Sequence, residues 1–269
     1  MAEVSPAAGT GVRRELLGEG VVRLTLDRPE QRNALTGELA RELRRAVAEE
    51  AGPGGARVLI VTGAGSAFCA GADLGALTAG AASASERRAI LADYYRAFLD
   101  LRDLPIPTIA AVNGPAVGAG LNLALACDLR ILAAGARLAA PFLRLGIHPG
   151  GGCTWMLTRI AGSATARELL LLGEPVTAER ALQLGLAAEV VPDDRLVDRS
   201  LEVATQIARL PGQVVMDLKM TLNLAESGAS FPAVLAVEAQ AQSESMGTDD
   251  AREGWTAFRE RRQPRFRDR

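Results

Sequence analysis

Short apolar runs closed by glycine or proline alternate with amphipathic stretches along the first two thirds of the chain. Runs of this length, bounded by turn-forming residues, favour strands that are buried on both faces. The Arg-Pro pair at residues 28 and 29 ends the first of them, because the residue before a proline is driven out of helical geometry. The sequence therefore predicts strands at residues 21–26, 58–63, 108–112, 127–132 and 187–191.

The stretches between these strands carry apolar residues at helical spacing. Leu39, Leu43 and Val47 lie on one face of a helix that begins near Thr36 and stops at the glycine-rich residues 52–55. The same spacing predicts a long helix over residues 86–104, after an Ala/Gly/Ser-rich loop. Further helices are predicted at residues 121–127, 151–162, 164–172 and from Thr177 to Gly185.

The last third of the chain has a different character. From residue 193 no strand pattern remains, and helical spacing predicts helices at residues 195–210, 213–225, 232–246 and 249–261. We therefore expect an α/β core over residues 12–195 and a helical subdomain over residues 196–269.

Composition and charge exclude several classes of protein. The 269-residue chain is 48% hydrophobic and 23% charged, with a formal net charge of -2, which gives no electrostatic basis for binding nucleic acid. No apolar run is long enough to span a membrane. Residues 1–11 lack the basic and apolar segments of a signal peptide, so we expect a cytoplasmic protein.

Cysteine and histidine usage argues against disulfides and metal. The three cysteines, Cys69, Cys127 and Cys153, stand in apolar contexts, which is typical of buried thiols. Because the chain has a single histidine, His148, a histidine-rich metal site is not expected.

Two loops of small residues follow predicted strands and carry candidate chemistry. Residues 66–74 have the sequence Ser-Ala-Phe-Cys-Ala-Gly-Ala-Asp-Leu, and residues 113–122 have Asn-Gly-Pro-Ala-Val-Gly-Ala-Gly-Leu-Asn. Small residues let a ligand approach the main chain, and the second loop opens into a helix whose first N–H groups lack partners. Two such N–H groups aimed at one point would stabilise an oxyanion.

These two loops, in this order, resemble the oxyanion segments of the crotonase (enoyl-CoA hydratase/isomerase) superfamily. The similarity extends to residues 27–35, which resemble its first loop, and to residues 250–258 and 261–266, which resemble its C-terminal signature. The resemblance implies a spiral of repeated strand–strand–helix units with a C-terminal helical subdomain. It also implies a homotrimer or a dimer of trimers, and an acyl-CoA ligand whose CoA moiety replaces any permanently bound cofactor.

Motif matching places the implied oxyanion donors at the backbone N–H groups of Ala72 and Ala119. For Arg28 and Arg32 the sequence alone leaves open a solvated loop. For Asp73 it leaves open a role in ordering the loop and the helix start. The resemblance places the CoA contacts at Arg28, Arg32, Ala34, Ala70, Asp73 and Leu74.

The acid/base positions of the family hold unusual residues here. The two glutamates of hydratases match Asn122 and Phe142, and the carboxylate of double-bond isomerases matches Gly150. Neither an amide nor a phenyl ring transfers a proton at neutral pH. His148 is either a substitute base or a loop residue whose ring points away. Tyr94 and Tyr95 either line the acyl pocket or pack in the core.

Three functions follow from an intact oxyanion segment without the familiar carboxylates. The favoured one is a non-hydratase crotonase reaction, namely isomerisation, decarboxylation or C–C cleavage. The alternatives are a non-catalytic acyl-CoA carrier or sensor, and a weak or ordinary enoyl-CoA hydratase. The acyl group, and the choice between trimer and hexamer, are left open by the sequence.

Overall fold

A six-stranded sheet forms the centre of the computed structural model, which describes residues 11–52 and 54–267. The strand order is β1-β2-β3-β4-β6-β9, and every neighbouring pair is parallel except the antiparallel pair β1/β2. The strands are β1 (Val12–Gly18), β2 (Val21–Leu26), β3 (Val58–Gly63), β4 (Thr108–Val112), β6 (Leu129–Ala133) and β9 (Glu189–Val191). The five predicted strands are confirmed, with small shifts at their ends.

The first strand, β1, is absent from the sequence prediction. Its centre is charged, and those charges are satisfied across the sheet edge, since Glu15 pairs with Arg23 at 3.0 Å. Arg14 pairs with Glu50, whose side chain is buried. A charged edge strand lacks the apolar run by which the other strands were identified.

A second, three-stranded sheet lies beside the first. It contains β5 (Ala116–Val117), β7 (Arg137–Ala139) and β8 (Val176–Thr177), in the order β5-β7-β8. None of these strands exceeds three residues, so hydrophobic periodicity gives no signal for them.

The helices follow the predicted stretches closely. Thr36 caps α1 through its hydroxyl oxygen, and α5 is broken at Gly162, which agrees with the two predicted helices. A short α2, absent from the prediction, follows the first glycine loop. The helices are α1 (Gly37–Glu50), α2 (Leu74–Thr78), α3 (Ala84–Asp103), α4 (Ala119–Ala126), α5 (Cys153–Leu172), α6 (Ala178–Gln183), α7 (Leu196–Ala208), α8 (Gly212–Glu226), α9 (Phe231–Met246) and α10 (Asp249–Glu260).

Apolar clusters cover both faces of the large sheet. One face packs against α1, α3 and α4 through side chains such as Leu43 and Phe98. The other face is covered by α7, whose Leu196, Ala204 and Ala208 join Ile60 of β3 in a second cluster. The division of the chain at residues 195 and 196 stays a prediction, although α7 shares its core with the sheet.

An ion pair between a buried lysine and a partly exposed aspartate connects α8 to the core. Lys219, the only lysine of the chain, donates from Nζ to Asp128 Oδ2 at 2.7 Å and to the Ile106 carbonyl at 2.8 Å. The same carboxylate oxygen accepts from the backbone N–H of Thr108 at 2.7 Å. The C-terminal helices are therefore fixed to the start of β4 and β6 by a charge-assisted network.

We expect Lys219→Met to lower the free energy of unfolding by about 2 kcal/mol. The methionine preserves length and bulk but leaves the carboxylate of Asp128 without its cation. Because the Asp128 side chain is partly exposed, water offsets part of the lost interaction energy. Urea denaturation provides the measurement. Arg209→Ala is the matched control, because its pair with Glu19 is exposed on both sides and its loss should change stability far less. Equal effects of the two substitutions would contradict a structural role for Lys219.

Candidate functional site

The two glycine loops are joined backbone to backbone. Cys69 donates its N–H to the Pro115 carbonyl at 3.1 Å, and its own carbonyl accepts from the N–H of Val117 at 3.0 Å. This contact is as close as it is because Gly120 lacks a side chain. A Cβ there would lie 2.1 Å from the Cys69 carbonyl oxygen. The strand ends of β3 and β4 thus hold the loops at a fixed spacing.

The N–H groups of Ala72 and Ala119 lie where these loops converge. Ala119 is the first residue of α4, where N–H groups have no intrahelical acceptor. Gly71 has φ +104°, and a Cβ placed on it would lie 3.9 Å from the Ala119 nitrogen. Within residues 11–52 and 54–267 no acceptor is found for either amide. Both are free to donate to a ligand oxygen.

A cavity of about 400 Å³ opens beside these amides. Its wall is mainly apolar and comes from α3, α4, the two glycine loops and the segment before α5. The sequence-predicted residues that it brings together are Ala70, Ala72, Leu74, Ala119, Asn122, Phe142, His148 and Gly150.

No aspartate or glutamate belongs to the described lining of this cavity, whose ionisable residues are Arg87, Tyr94, Tyr95 and His148. Elsewhere in the described ranges, His, Cys, Asp and Glu side chains form no group of three that could hold a metal ion. The cavity therefore offers hydrogen bonds and apolar contact rather than a carboxylate base.

Asn122 and Phe142 occupy the two positions matched to hydratase glutamates. Asn122 is 2% exposed, and its Nδ2 donates to the Gly150 carbonyl at 2.9 Å. Because a carbonyl only accepts, this contact fixes the amide orientation. The Phe142 ring is also buried and lies against Gly118, where a Cβ would be 3.9 Å from the ring. These two side chains narrow the cavity beside Ala119.

His148 is exposed and borders the cavity. Its Nδ1 lies 2.7 Å from the Pro149 carbonyl oxygen. Since that oxygen only accepts, the contact requires a hydrogen on Nδ1. The residue lies at the cavity edge, and its role as a substitute base stays a prediction.

The two tyrosines differ although they are adjacent. Both border the cavity, but Tyr94 is buried and its hydroxyl donates to the Leu35 carbonyl at 2.7 Å. Burial raises the pKa of Tyr94 far above its ordinary value. Tyr95 is half-buried, and burial raises its pKa as well. Tyr94 thus has a structural contact, while Tyr95 lines the cavity with its hydroxyl beside Gly150.

Arg28, Arg32 and Ala34 are not part of the cavity lining. Their loop runs alongside the first glycine loop instead, because the Arg32 carbonyl accepts from the N–H of Ala70 at 3.0 Å. Their contact with CoA stays a prediction. Asp73 is also outside the lining, and its carboxylate caps α2 by accepting from the Ala76 N–H at 2.9 Å.

Sequence reasoning gave no role to Asn33, which fixes this first loop. Asn33 is fully buried, with φ +54°, and its Nδ2 donates to the carbonyls of Ala64 and Ala67 at 2.9 and 2.8 Å. Its Oδ1 accepts from the N–H of Arg28. The sequence feature that could have indicated this role is an asparagine inside a polar turn, because asparagine tolerates left-handed backbone conformations.

We expect Gly120→Ala to lower the free energy of unfolding by about 2 kcal/mol, because the new methyl group overlaps the Cys69 carbonyl. The same displacement separates the two amides and weakens binding of a thioester ligand. Denaturation and calorimetry provide the measurements. Gly80→Ala is the control, because a Cβ there meets nothing within 4 Å. A stable Gly120→Ala protein with unchanged ligand affinity would contradict the proposed spacing of the loops.

The cysteine prediction is confirmed, and it excludes a thiol nucleophile at this site. All three cysteines are free and buried. Burial raises the pKa of Cys69 to about 11, and that of Cys127 and Cys153 to about 12. A raised pKa leaves little reactive thiolate below pH 9.

We therefore expect no reaction of the native protein with a thiol-specific disulfide reagent at pH 8, and reaction of all three thiols after unfolding in guanidinium. Absorbance of the released thiolate measures both states. Rapid modification of Cys69 in the native protein would contradict its burial and show that the first glycine loop opens readily.

Comparison with known proteins agrees with this geometry. Residues 17–269 match the family described as Enoyl-CoA hydratase/isomerase. A probable enoyl-CoA hydratase of Mycobacterium tuberculosis is 46% identical over 78% of this chain and 81% of its own. The 1,2-epoxyphenylacetyl-CoA isomerase of Escherichia coli is 36% identical over 92% and 95%. The crystal structure of an enoyl-CoA hydratase from Bacillus anthracis superposes with a TM-score of 0.90, at 34% identity, over 96% of this chain and 100% of its own. The chain therefore belongs to the enoyl-CoA hydratase/isomerase, or crotonase, family and has its mixed α/β fold with C-terminal helices.

Proposed function

We propose that this protein binds an acyl-CoA thioester and stabilises negative charge on its carbonyl oxygen with the N–H groups of Ala72 and Ala119. The observation that carries this proposal is the pair of unpaired amides beside an apolar cavity. When a thioester becomes an enolate, its oxygen takes up the charge. Each fixed donor of this kind contributes roughly 3 kcal/mol to the transition state.

The reaction that we propose is not hydration but isomerisation, decarboxylation or C–C cleavage. Hydration needs one group to deprotonate water and another to deliver a proton to carbon. The cavity presents Asn122, Phe142 and Gly150 at the matched positions and no carboxylate in its described lining. Reactions whose barrier lies mainly in forming the enolate fit this cavity better. One of the relatives above is named as an isomerase rather than a hydratase.

A non-catalytic carrier is the second candidate, and the packing of Phe142 favours it. A buried phenyl ring beside Gly118 fills space that a reacting water would need. Apolar residues of α3 extend the wall away from the amides, which suits a hydrocarbon chain. Ordinary hydration, the activity in the names of several relatives, is the third candidate.

For the CoA moiety we propose the edge formed by residues 28–35. This loop is bonded to the first glycine loop, which borders the cavity. Arg28 and Arg32 would bring positive charge to the phosphates there. CoA arrives with the substrate, and no further cofactor is proposed.

For the assembly we propose a homotrimer or a dimer of trimers, with residues 196–269 as the oligomerisation subdomain and residues 12–195 as the core. The helices α8, α9 and α10 expose large apolar side chains, among them Leu218, Phe231 and Phe258. Exposed apolar groups of this size favour a protein partner. Sedimentation equilibrium tests this, and a monomer at micromolar concentration would contradict it. Among the described residues, no helix has both the length and the hydropathy to cross a bilayer.

We expect the wild-type protein to bind crotonyl-CoA but to hydrate it at least 100-fold more slowly than Asn122→Glu/Phe142→Glu. Each missing acid/base group lowers a rate by about 10²–10⁴-fold, and the double variant restores both carboxylates beside unchanged backbone donors. Calorimetry measures binding, and loss of enoyl-thioester absorbance measures hydration.

The control is Asn122→Glu/Phe142→Gln, which has the same bulk with only one carboxylate. Fast hydration by the wild type would overturn the assignment of the acid/base positions. Absence of binding to any acyl-CoA would overturn the proposed function itself. Binding without turnover of any acyl-CoA, even at high enzyme concentration, would favour the carrier.

A further inference from the structure

The hydroxyl of Tyr95 takes the space that a side chain at position 150 would need. A Cβ placed on Gly150 would lie 2.1 Å from Tyr95 Oη and 3.0 Å from Cζ. The ring is held from behind by Phe98 and Tyr94, with centroids 6.0 and 6.2 Å away. A tyrosine at 95 and a glycine at 150 are therefore matched by shape, and Tyr95 supplies the polar atom at this place.

The Tyr95 hydroxyl is available as a hydrogen-bond donor. Burial raises its pKa, and the backbone of Gly151 only partly offsets the rise, so the phenol keeps its proton at neutral pH. Within the described ranges no acceptor for this hydroxyl is found. This distinguishes it from the Tyr94 hydroxyl, which is bonded to the Leu35 carbonyl.

Asn122 of α4 contributes the complementary acceptor, and it contacts the same two residues, Gly150 and Gly151. Its Nδ2 donates to the Gly150 carbonyl, and a Cβ on Gly151 would lie 2.9 Å from that nitrogen. Its Oδ1 is buried and has no partner among the described residues. A buried acceptor without a donor is costly, which favours a ligand group that donates to it.

We propose that Tyr95 and Asn122 form a neutral donor–acceptor pair that binds a hydroxyl group carried by the acyl chain of the thioester. A hydroxyl accepts from Tyr95 and donates to Asn122 Oδ1, so it satisfies both. A ketone or a carboxylate accepts only and leaves Oδ1 unpaired, and a methylene group satisfies neither. This inference deepens the proposed function and depends on it for the thioester site.

The test compares four thioesters by calorimetry: butyryl-CoA, 3-hydroxybutyryl-CoA, 4-hydroxybutyryl-CoA and acetoacetyl-CoA. We expect one hydroxylated thioester to bind about 10-fold more tightly than butyryl-CoA, the net effect of one or two buried hydrogen bonds. Acetoacetyl-CoA should gain less. Tyr95→Phe should reduce the preference to below about 3-fold while butyryl-CoA still binds.

Two variants separate this role from a general effect on the fold. Tyr94→Phe is the matched control, since it removes the neighbouring hydroxyl and should preserve the preference for a hydroxylated chain. Gly150→Ala retains both polar side chains but displaces the Tyr95 hydroxyl, so it should abolish the preference as Tyr95→Phe does.

Equal binding of butyryl-CoA and both hydroxylated thioesters by the wild type would overturn the inference while leaving the thioester site intact. A preference that survives in Tyr95→Phe would overturn it as well. If none of the four thioesters binds, the proposed function fails and the inference fails with it.

Discussion

The site depends on one backbone contact, the pair of hydrogen bonds that joins Cys69 to Pro115 and Val117. These bonds connect loops that follow two neighbouring strands, and they require glycine at 120, where any side chain would overlap the Cys69 carbonyl. The contact orients the amides of Ala72 and Ala119 without using a side chain. Because main-chain donors need no particular residue type, the anion-binding geometry can persist while the surrounding side chains change.

The lack of a carboxylate in the described cavity lining agrees with the mainly apolar character of its wall. An unpaired carboxylate in an apolar wall is strongly disfavoured and would take up a proton. Burying an amide or a phenol in an apolar wall costs less free energy, provided that each group has a hydrogen-bond partner. Asn122 has one through the Gly150 carbonyl, and Tyr94 has one through Leu35. Such a site suits reactions in which the negative charge stays on a ligand oxygen placed between the two amides.

Much of this could be predicted from the sequence, because β3 and β4 are short, mainly apolar runs and each is followed by one of the glycine loops. The strands β5, β7 and β8 could not be predicted, since two or three residues become a strand only through their partners. The strand β1 could not be predicted either, because its central residues are charged and it has no apolar run. Tyr94 and Tyr95 show the limit most clearly. They are identical neighbours on one helix, and their roles differ because one meets Leu35 and the other meets Gly150, both distant in sequence.

The pairing of Tyr95 with Gly150 also limits how the family's acid/base groups could be restored. A carboxylate at position 150 is sterically excluded while the Tyr95 hydroxyl lies 2.1 Å from the required Cβ. At position 122 a carboxylate would give up the hydrogen bond that the amide donates to the Gly150 carbonyl. The three positions are therefore coupled through the backbone of residue 150. We conclude that the amide of Asn122, the phenol of Tyr95 and the glycine at 150 form one packed unit, so the two carboxylate-matched positions 122 and 150 are not independent of each other.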